Sequence, residues 1–449
     1  MSDHADVIRF CLAAGPVGAS QLIEKARISQ PTLSRTLRQM DSEIVRIGAA
    51  RSIQYALRDA RRGLPDMPVY RVDADGRLHL LGILVPVLPE GFVMQQDDGR
   101  TLHSDGLPWW LLDMRPQGYL GRAWVARHAG ALGLPARIVD WSDAHALRAL
   151  LAHGHDSVGN LVLGETARQS FLTQPLPTAI AQADKPAAYA RLAREAAQGG
   201  LAGSSAGGEQ PKFSTYAQTA QGPRHVLVKF SEGEGGPVTE RWRDLLLAEH
   251  HALQTLAQAG VPAAASQLLD HGGQRFLEVD RFDRVGPLGR RGLLSLAALD
   301  AEFVGNAPAG WPGCVKALAA GGHIRAEAVQ GAALLWAFGT LIGNTDMHTG
   351  NLSFLTEHGR PYALAPAYDM TPMAFAPRSG GGLPDALAPA QLHADVPNRT
   401  WRQAGELAQT FLARLERETG FSQRFAPCIA ALQRHMALAA EQIGRLAVV

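Results

Sequence analysis

A chain of 449 residues exceeds one ordinary domain and suggests roughly two to four. With 46% hydrophobic residues it can bury sizeable cores, which excludes disorder over most of its length. The net charge of +1 decides nothing about nucleic acid, while three scattered cysteines (Cys11, Cys314, Cys428) without a CxxC spacing argue against a disulfide framework or a cysteine metal site.

Residues 1–63 read as a small module. Asp6–Ala13 has helical periodicity, and Ala19–Ala26 is a second helix opened by the Gly18-Ala19-Ser20 turn. Ile28-Ser29-Gln30-Pro31 supplies a turn and N-cap for a third helix, Pro31–Met40, with Pro31 at the first helical position. Leu33, Leu37 and Met40 form its core stripe, and Thr32, Ser34, Arg35 and Arg38 fall elsewhere. Ile44–Ile47 and Ser52–Leu57 then alternate like two strands around a turn containing Arg51. Three helices and a ribbon predict a winged helix-turn-helix, with the third helix entering the major groove and Arg51 reaching phosphate or the minor groove. The module carries ten basic against six acidic residues. The competing expectation is a protein-interaction module with solvated arginines.

Residues 64–165 read as mixed. Val69–Val72, Leu78–Val87 and Gly91–Met94 look like strands, with turns at Asp75-Gly76 and Asp98-Gly99. Pro108–Arg127 and Asp143–His153 look helical, and no catalytic spacing occurs. The segment 180–203 reads as a helix and loop, and the chain from Gly322 onward as mostly helical. Ala376–Pro389 reads as a flexible loop. The apolar run Val329–Gly343 is too short to span a membrane and contains Gln330, and the first residues lack a secretory pattern. A soluble, cytoplasmic protein is expected.

Four elements carry chemistry, and their order matters. Ser204–Lys212 (SSAGGEQPK) can bring backbone N–H groups close to a phosphate. Val226–Phe230 is a strand bearing Lys229, which can bind phosphate oxygens and needs a carboxylate to hold it. Glu249 on the helix Glu240–Ala259 is the preferred partner, with Glu240 the alternative. Gln274–Arg284 is an apolar strand ending in charge, so that Asp280-Arg281-Phe282 would offer backbone groups to an adenine edge. Finally, Leu341–Phe354 (LIGNTDMHTGNLSF) is an apolar helix, a polar loop and a strand. Asp346 and Asn351 are five apart, the spacing of the kinase catalytic loop, and Asp369 follows in LAPAYDM at the place of a metal-binding aspartate. A zinc site at His348 lacks further ligands at short spacing, so His348 is expected to brace the loop.

Ser204–Lys212, Lys229, VDRFDR, NTDMHTGNLSF and PAYD together resemble the HipA family of bacterial kinase toxins, over roughly residues 66–449. The added N-terminal module makes the chain most similar to the longer, YjjJ-type members. The resemblance implies an α+β, protein-kinase-like two-lobed HipA fold, with a β-rich N-lobe and an all-helical C-lobe, preceded by the winged helix. The expected divisions are 1–63, 64–165, 166–283 and 284–449. It implies a serine/threonine protein kinase using ATP and Mg²⁺. Asp346 is then the proton acceptor, with Lys229 and His348 beside it as catalytic residues. Asn351 and Asp369 hold the metal. Ala206, Gly207, Gly208, Glu209, Gln210, Lys212, Lys229, His348, Tyr368 and the Asp280–Phe282 segment contact ATP. Ser204 or Ser205 is the autophosphorylation site, and the loop is one residue longer than usual. No HRD triplet is present, since Thr345-Asp346-Met347 stands in its place, so control by activation-loop phosphorylation is not expected. In HipA-type toxins the protein substrate is an aminoacyl-tRNA synthetase. DNA binding through residues 1–63 is expected, a membrane partner is not, and homodimerisation stays open. The alternatives are a small-molecule kinase and a nucleotide-sensing transcriptional regulator.

Overall fold

The computed structural model describes residues 3–49, 52–198, 210–357 and 359–446, which divide into two compact units. The first comprises residues up to 73, 77–116 and 128–175, and the second comprises 74–76, 117–127 and everything from 176 onward.

The first unit opens with α1 (Asp3–Leu12), β1 (Val17–Gly18), α2 (Ala19–Ala26) and α3 (Gln30–Gln39). Ser29 caps α3, its hydroxyl accepting from the Thr32 N–H, and Pro31 sits in the first turn, where a missing N–H costs nothing. Leu33, Leu37 and Met40 pack with Ile8, Leu12 and Leu22, as the stripe predicts. The strands β2 (Ile44–Ile47) and β3 (Gln54–Leu57) complete an antiparallel sheet of order β1-β3-β2. Because side chains alternate across a strand, Ile44 and Leu57 face the helices while Val45, Ile47 and Ala56 face the other way. There they meet Val85, Val87 and Val93 of the next sheet in one shared core.

That sheet has five strands, β4 (Met67–Val72), β5 (Leu78–Val87), β6 (Gly91–Gln96), β7 (Thr101–Ser104) and β8 (Leu161–Leu163), in the order β7-β6-β5-β4-β8. The expected helix over Pro108–Arg127 is two elements, a 3₁₀ turn at Trp109–Met114 and α4 (Gly118–His128). Pro116 forces Arg115 into an extended conformation, ψ 134°, and separates them. Next come α5 (Asp143–His153), started by a Ser142–His145 capping box, and α6 (Gly164–Thr173).

The second unit takes in α4 up to Arg127 and continues with α7 (Lys185–Ala197), β9 (Lys212–Thr219), β10 (Gly222–Phe230), α8 (Pro237–Gln258), β11 (Ser266–His271) and β12 (Gln274–Asp280). The antiparallel sheet runs β11-β12-β10-β9. Val226, Val228, Phe213 and Phe276 pack under Tyr189 of α7, whereas Leu277 and Val279 pack on Leu246 of α8.

The helical lobe follows with β13 (Arg284–Val285), β14 (Gly289–Arg290), β15 (Leu293–Ser295), α9 (Leu296–Phe303), α10 (Gly310–Ala320), α11 (Glu327–Leu341), β16 (Ser353–Leu355), β17 (Ala363–Leu364), α12 (Asn398–Arg417) and α13 (Ala426–Gly444). It is therefore not all-helical. The polar loop after α11 needs fixed backbone on both sides, and the β15-β16-β17 ladder supplies it. Helix α11 is apolar on most of its surface and largely buried, with Glu327 and Gln330 exposed in its first turns. Among the described residues no helix is long and apolar enough to cross a membrane. The loop read as flexible, Ala376–Pro389, is pinned by buried Arg241, which donates to the carbonyls of Phe375 at 2.9 Å and Pro384 at 2.6 Å.

Candidate active site

The face of the second unit's sheet that carries Lys229 is the centre of the site. Lys212 and Lys229 are direct partners across β9 and β10, so both ammonium stems leave the same face. Both lysines are buried. Lys229 donates to the two carboxylate oxygens of Glu249 at 2.7 and 2.8 Å, and also to Asp369. Glu249, not Glu240, is thus the carboxylate that holds it. The signal was position: Glu249 lies deep in α8, whereas Glu240 lies at its start and pairs with Arg424. Sequence reasoning missed Thr371, whose hydroxyl donates to Glu249 at 2.8 Å and ties the Asp369 segment to α8.

The electrostatics follow from burial against charge. Desolvation alone would raise the Asp369 carboxyl, but Lys229 and then Lys212 outweigh it and hold Asp369 below its usual range. Burial pushes the Glu249 carboxyl up, opposed by the same Lys229. Desolvation would lower Lys229, and the two carboxylates reverse that, so it stays protonated.

The polar loop is built by the end of α11. Gly343 takes φ 75°, its N–H returns to the Thr340 carbonyl at 3.3 Å, and the Asn344 N–H returns to Gly339 at 2.8 Å. This is a Schellman closure, which needs a residue without Cβ at Gly343. Asn344 then ties the polar loop to the Asp369 segment. Its side-chain oxygen accepts from the Asp346 N–H at 3.0 Å and its amide donates to the Asp369 carbonyl at 3.2 Å. Asn351 donates to the Asp346 carbonyl at 2.8 Å, closing the loop that the five-residue spacing predicts. The Asp346 side chain is left exposed to solvent. His348 accepts the Gly350 N–H at 3.0 Å through Nδ1, the bracing role expected of it, and Trp311 fixes the His348 carbonyl at 2.9 Å. Tyr368 donates to the Gly350 carbonyl at 2.9 Å. Asp369 itself sits at φ 53°, a left-handed conformation that aspartate tolerates better than most residues.

Two expected contributors are placed differently. The N–H groups of Asp280 and Arg281 already donate to the carbonyls of Ala265 and His225, so neither is open to a purine edge. The Asp280 side chain pairs with Val226 in register and lies on the α7 face, away from Lys229. Phe282 brings its ring 5.7 Å from that of Tyr368. Gln210 and Lys212 are described, but Ser204, Ser205, Ala206, Gly207, Gly208 and Glu209 lie outside the described residues, as does Arg51. On α3, Ser34, Arg35 and Arg38 are exposed and Thr32 is half-buried.

A metal ion and a nucleotide fit this donor set. Mg²⁺ takes one or two protein ligands plus phosphate oxygens and water, and the half-buried, ionised Asp369 carboxylate with the Asn351 amide oxygen is a donor set of that kind. Among the described residues no group of three or more His, Cys, Asp or Glu could hold a metal alone.

The architecture is that of the HipA proteins. Residues 204–440 match the HipA-like C-terminal domain, and residues 64–172 match the middle domain of YjjJ-like toxins. The chain is 39% identical to the Toxin YjjJ of Escherichia coli K12, over 99% of this chain and 100% of that one. Among solved structures, HipA of Shewanella oneidensis, in a complex with HipB and operator DNA, superposes with a TM-score of 0.56 at 14% identity, covering 85% of this chain and all of that one. A Helicobacter pylori proinflammatory kinase, CtkA, superposes with a TM-score of 0.39 at 13% identity over 53% of this chain and 93% of its own, too distant to carry weight. The chain belongs to the HipA-like toxins, in their YjjJ-like branch.

Proposed function

We propose that the chain is an ATP- and Mg²⁺-dependent serine/threonine protein kinase that also binds DNA through its own N-terminal helices. One observation carries the reading: Lys229 joins Glu249 and Asp369, and Asn344 fastens Asp369 to the loop that presents Asp346. Phosphoryl transfer asks for little else than this positioning and charge. Asp346 accepts the proton of the attacking hydroxyl. Lys229 and Lys212, with residues 206–210, bind the phosphates, and Ser204 or Ser205 takes a phosphate in self-modification. Asn351 and Asp369 hold Mg²⁺, which when bound neutralises charge on the transferring phosphate. Phe282 and Tyr368 border the base, and His348 keeps the loop in shape.

The HipA structure cited above is bound to HipB and operator DNA. In this chain the exposed residues Ser34, Arg35 and Arg38 of α3, with half-buried Thr32, are the groups that meet a major groove and its flanking phosphates, and Arg51, outside the described residues, is the further candidate for a phosphate or minor-groove contact. The three helices and antiparallel ribbon support a winged helix here, and such a module lets the protein act on its own promoter.

The test is incubation of the purified protein with labelled ATP, Mg²⁺ and cell lysate, beside an Asp346→Asn variant. The reading expects a small set of labelled proteins, an aminoacyl-tRNA synthetase being the family's precedent, with label on serine or threonine and none from the variant. Label on small molecules alone would overturn it.

A further inference from the structure

A cavity of about 490 Å³ lies at the end of the second unit's sheet, walled by residues of its α7 face and by Ser266 and Gln254 of the α8 side. Its walls include Gln182, Gln218, Gln221, Gln254, Glu278 and Asp280. Asp280 and Glu278 pair in register with Val226 and Val228, so they point away from the strand face that carries Lys229. The nucleotide reading does not use this space.

The charges in the wall are unequal. Glu278 is neutralised by fully buried Lys185 at 2.6 Å and by the Tyr189 hydroxyl, which donates to it at 2.5 Å. Asp280 has a looser partner, Arg224 at 3.4 Å, and keeps part of its side chain exposed. The Gln218 amide donates to the Thr219 carbonyl, and Gln221 accepts from the Thr219 hydroxyl. The wall therefore mixes amide donors and acceptors with two carboxylates, of which Asp280 is the loosely paired one, while Lys185 behind the wall is spent on Glu278. Phosphates and carboxylates are repelled by such a wall, whereas donor-rich cations are matched by it.

We propose that this cavity is a second small-molecule site, taking an organic cation of guanidinium or primary-amine type, with its charge against Asp280 and its N–H groups on the glutamine amides. The volume suits a molecule of metabolite size. The site also has a pH signature. Burial pushes Asp280 up to about 6, with Glu278 adding to the rise and Arg224 of β10 and Lys185 of α7 opposing it. His250 of α8, bonded to Ser266 in the wall, is held neutral by burial down to about 4, and Tyr189 stays protonated. Asp280 is thus the group that titrates between these limits, and cation affinity falls as pH drops below about 6.

The experiment is calorimetric titration of the full chain with agmatine and putrescine, and with inorganic phosphate as the probe of opposite charge. Agmatine is expected to bind with a dissociation constant of about 1 mM or tighter. Its affinity should fall roughly fourfold between pH 7.5 and 5.5, following ionisation of one carboxyl. Asp280→Asn and Gln254→Leu should each weaken it about tenfold or more. Gln254→Leu should leave ATP consumption unchanged, which separates this site from the nucleotide site. Should Asp280→Asn fail to fold, Gln254→Leu and the pH series decide alone. Absence of agmatine binding at millimolar concentration, equal binding of phosphate, or binding that survives Gln254→Leu would overturn the proposal.

Discussion

Lys229→Met removes the cation that bonds both Glu249 and Asp369. Met keeps the apolar stem, so the loss is mainly electrostatic. Lys229 and Glu249 are 4% and 1% exposed, so water replaces little of the missing charge. Two unit charges about 4 Å apart at an effective dielectric near 20 interact by about 4 kcal/mol. Stripping one partner from a buried pair costs about 3–5 kcal/mol. Some of that is regained because Glu249, already pushed up by burial, can take a proton. The expected loss is about 3 kcal/mol, or roughly 5 °C in melting temperature for a unit of this size. Adding Glu249→Gln should return most of the lost stability, because the stranded charge is gone. The assay is thermal unfolding by circular dichroism and urea titration of the wild type, both singles and the double. Phosphoryl transfer should be absent in the single and double variants alike, separating stability from chemistry. A Lys229→Met protein as stable as wild type, or a double variant no more stable than it, would refute the argument.

Arg35→Ala or Arg38→Ala should weaken binding of the full chain to its operator by about 1–3 kcal/mol if the side chain meets a base, and a phosphate contact should instead flatten the salt dependence; titration at several salt concentrations distinguishes them. Gly343→Ala should cost about 1–3 kcal/mol and slow turnover, since φ 75° is strained for alanine and the new Cβ would meet Leu387 at 2.8 Å; urea unfolding and ATP turnover read both effects. His250 is depressed to about 4 by burial and by neighbouring His251. The unfolded chain therefore takes up that proton first, and stability falls as pH drops from about 6.5 towards 4. The half-buried position reduces the effect to about 1–2 kcal/mol, and His250→Gln should flatten the pH–stability slope in this window.

Much of this was legible in the chain because the signals were local. The ends of Ala19–Ala26, Ile44–Ile47, Leu78–Val87 and Asp143–His153 coincide with the observed elements, where periodicity and turn or cap residues agree. The strands β7 and β8 escaped notice because four and three residues give too short an alternation. Val45, Ile47 and Ala56 read as one ordinary strand face, and nothing local says that this face shares a core with Val85, Val87 and Val93. A fragment of residues 1–63 would therefore bare apolar surface, which is why DNA binding belongs to tests on the full chain. The polar loop was readable because its contacts span only a few residues, from Asn344 to Asn351. The Thr371–Glu249 bond joins residues 122 apart and left no local trace.

The proposed function assigns Asp346 to transfer and Asp369 to metal binding. The direct measurement is nucleotide consumption and nucleotide affinity, with and without Mg²⁺, in the wild type, Asp346→Asn and Asp369→Asn. Asp346→Asn should bind ATP with Mg²⁺ nearly as well as wild type and transfer nothing. Asp369→Asn should lose both transfer and the Mg²⁺-dependent part of ATP affinity, with its fold retained by circular dichroism. Undiminished transfer in both purified variants would rule out these roles for Asp346 and Asp369.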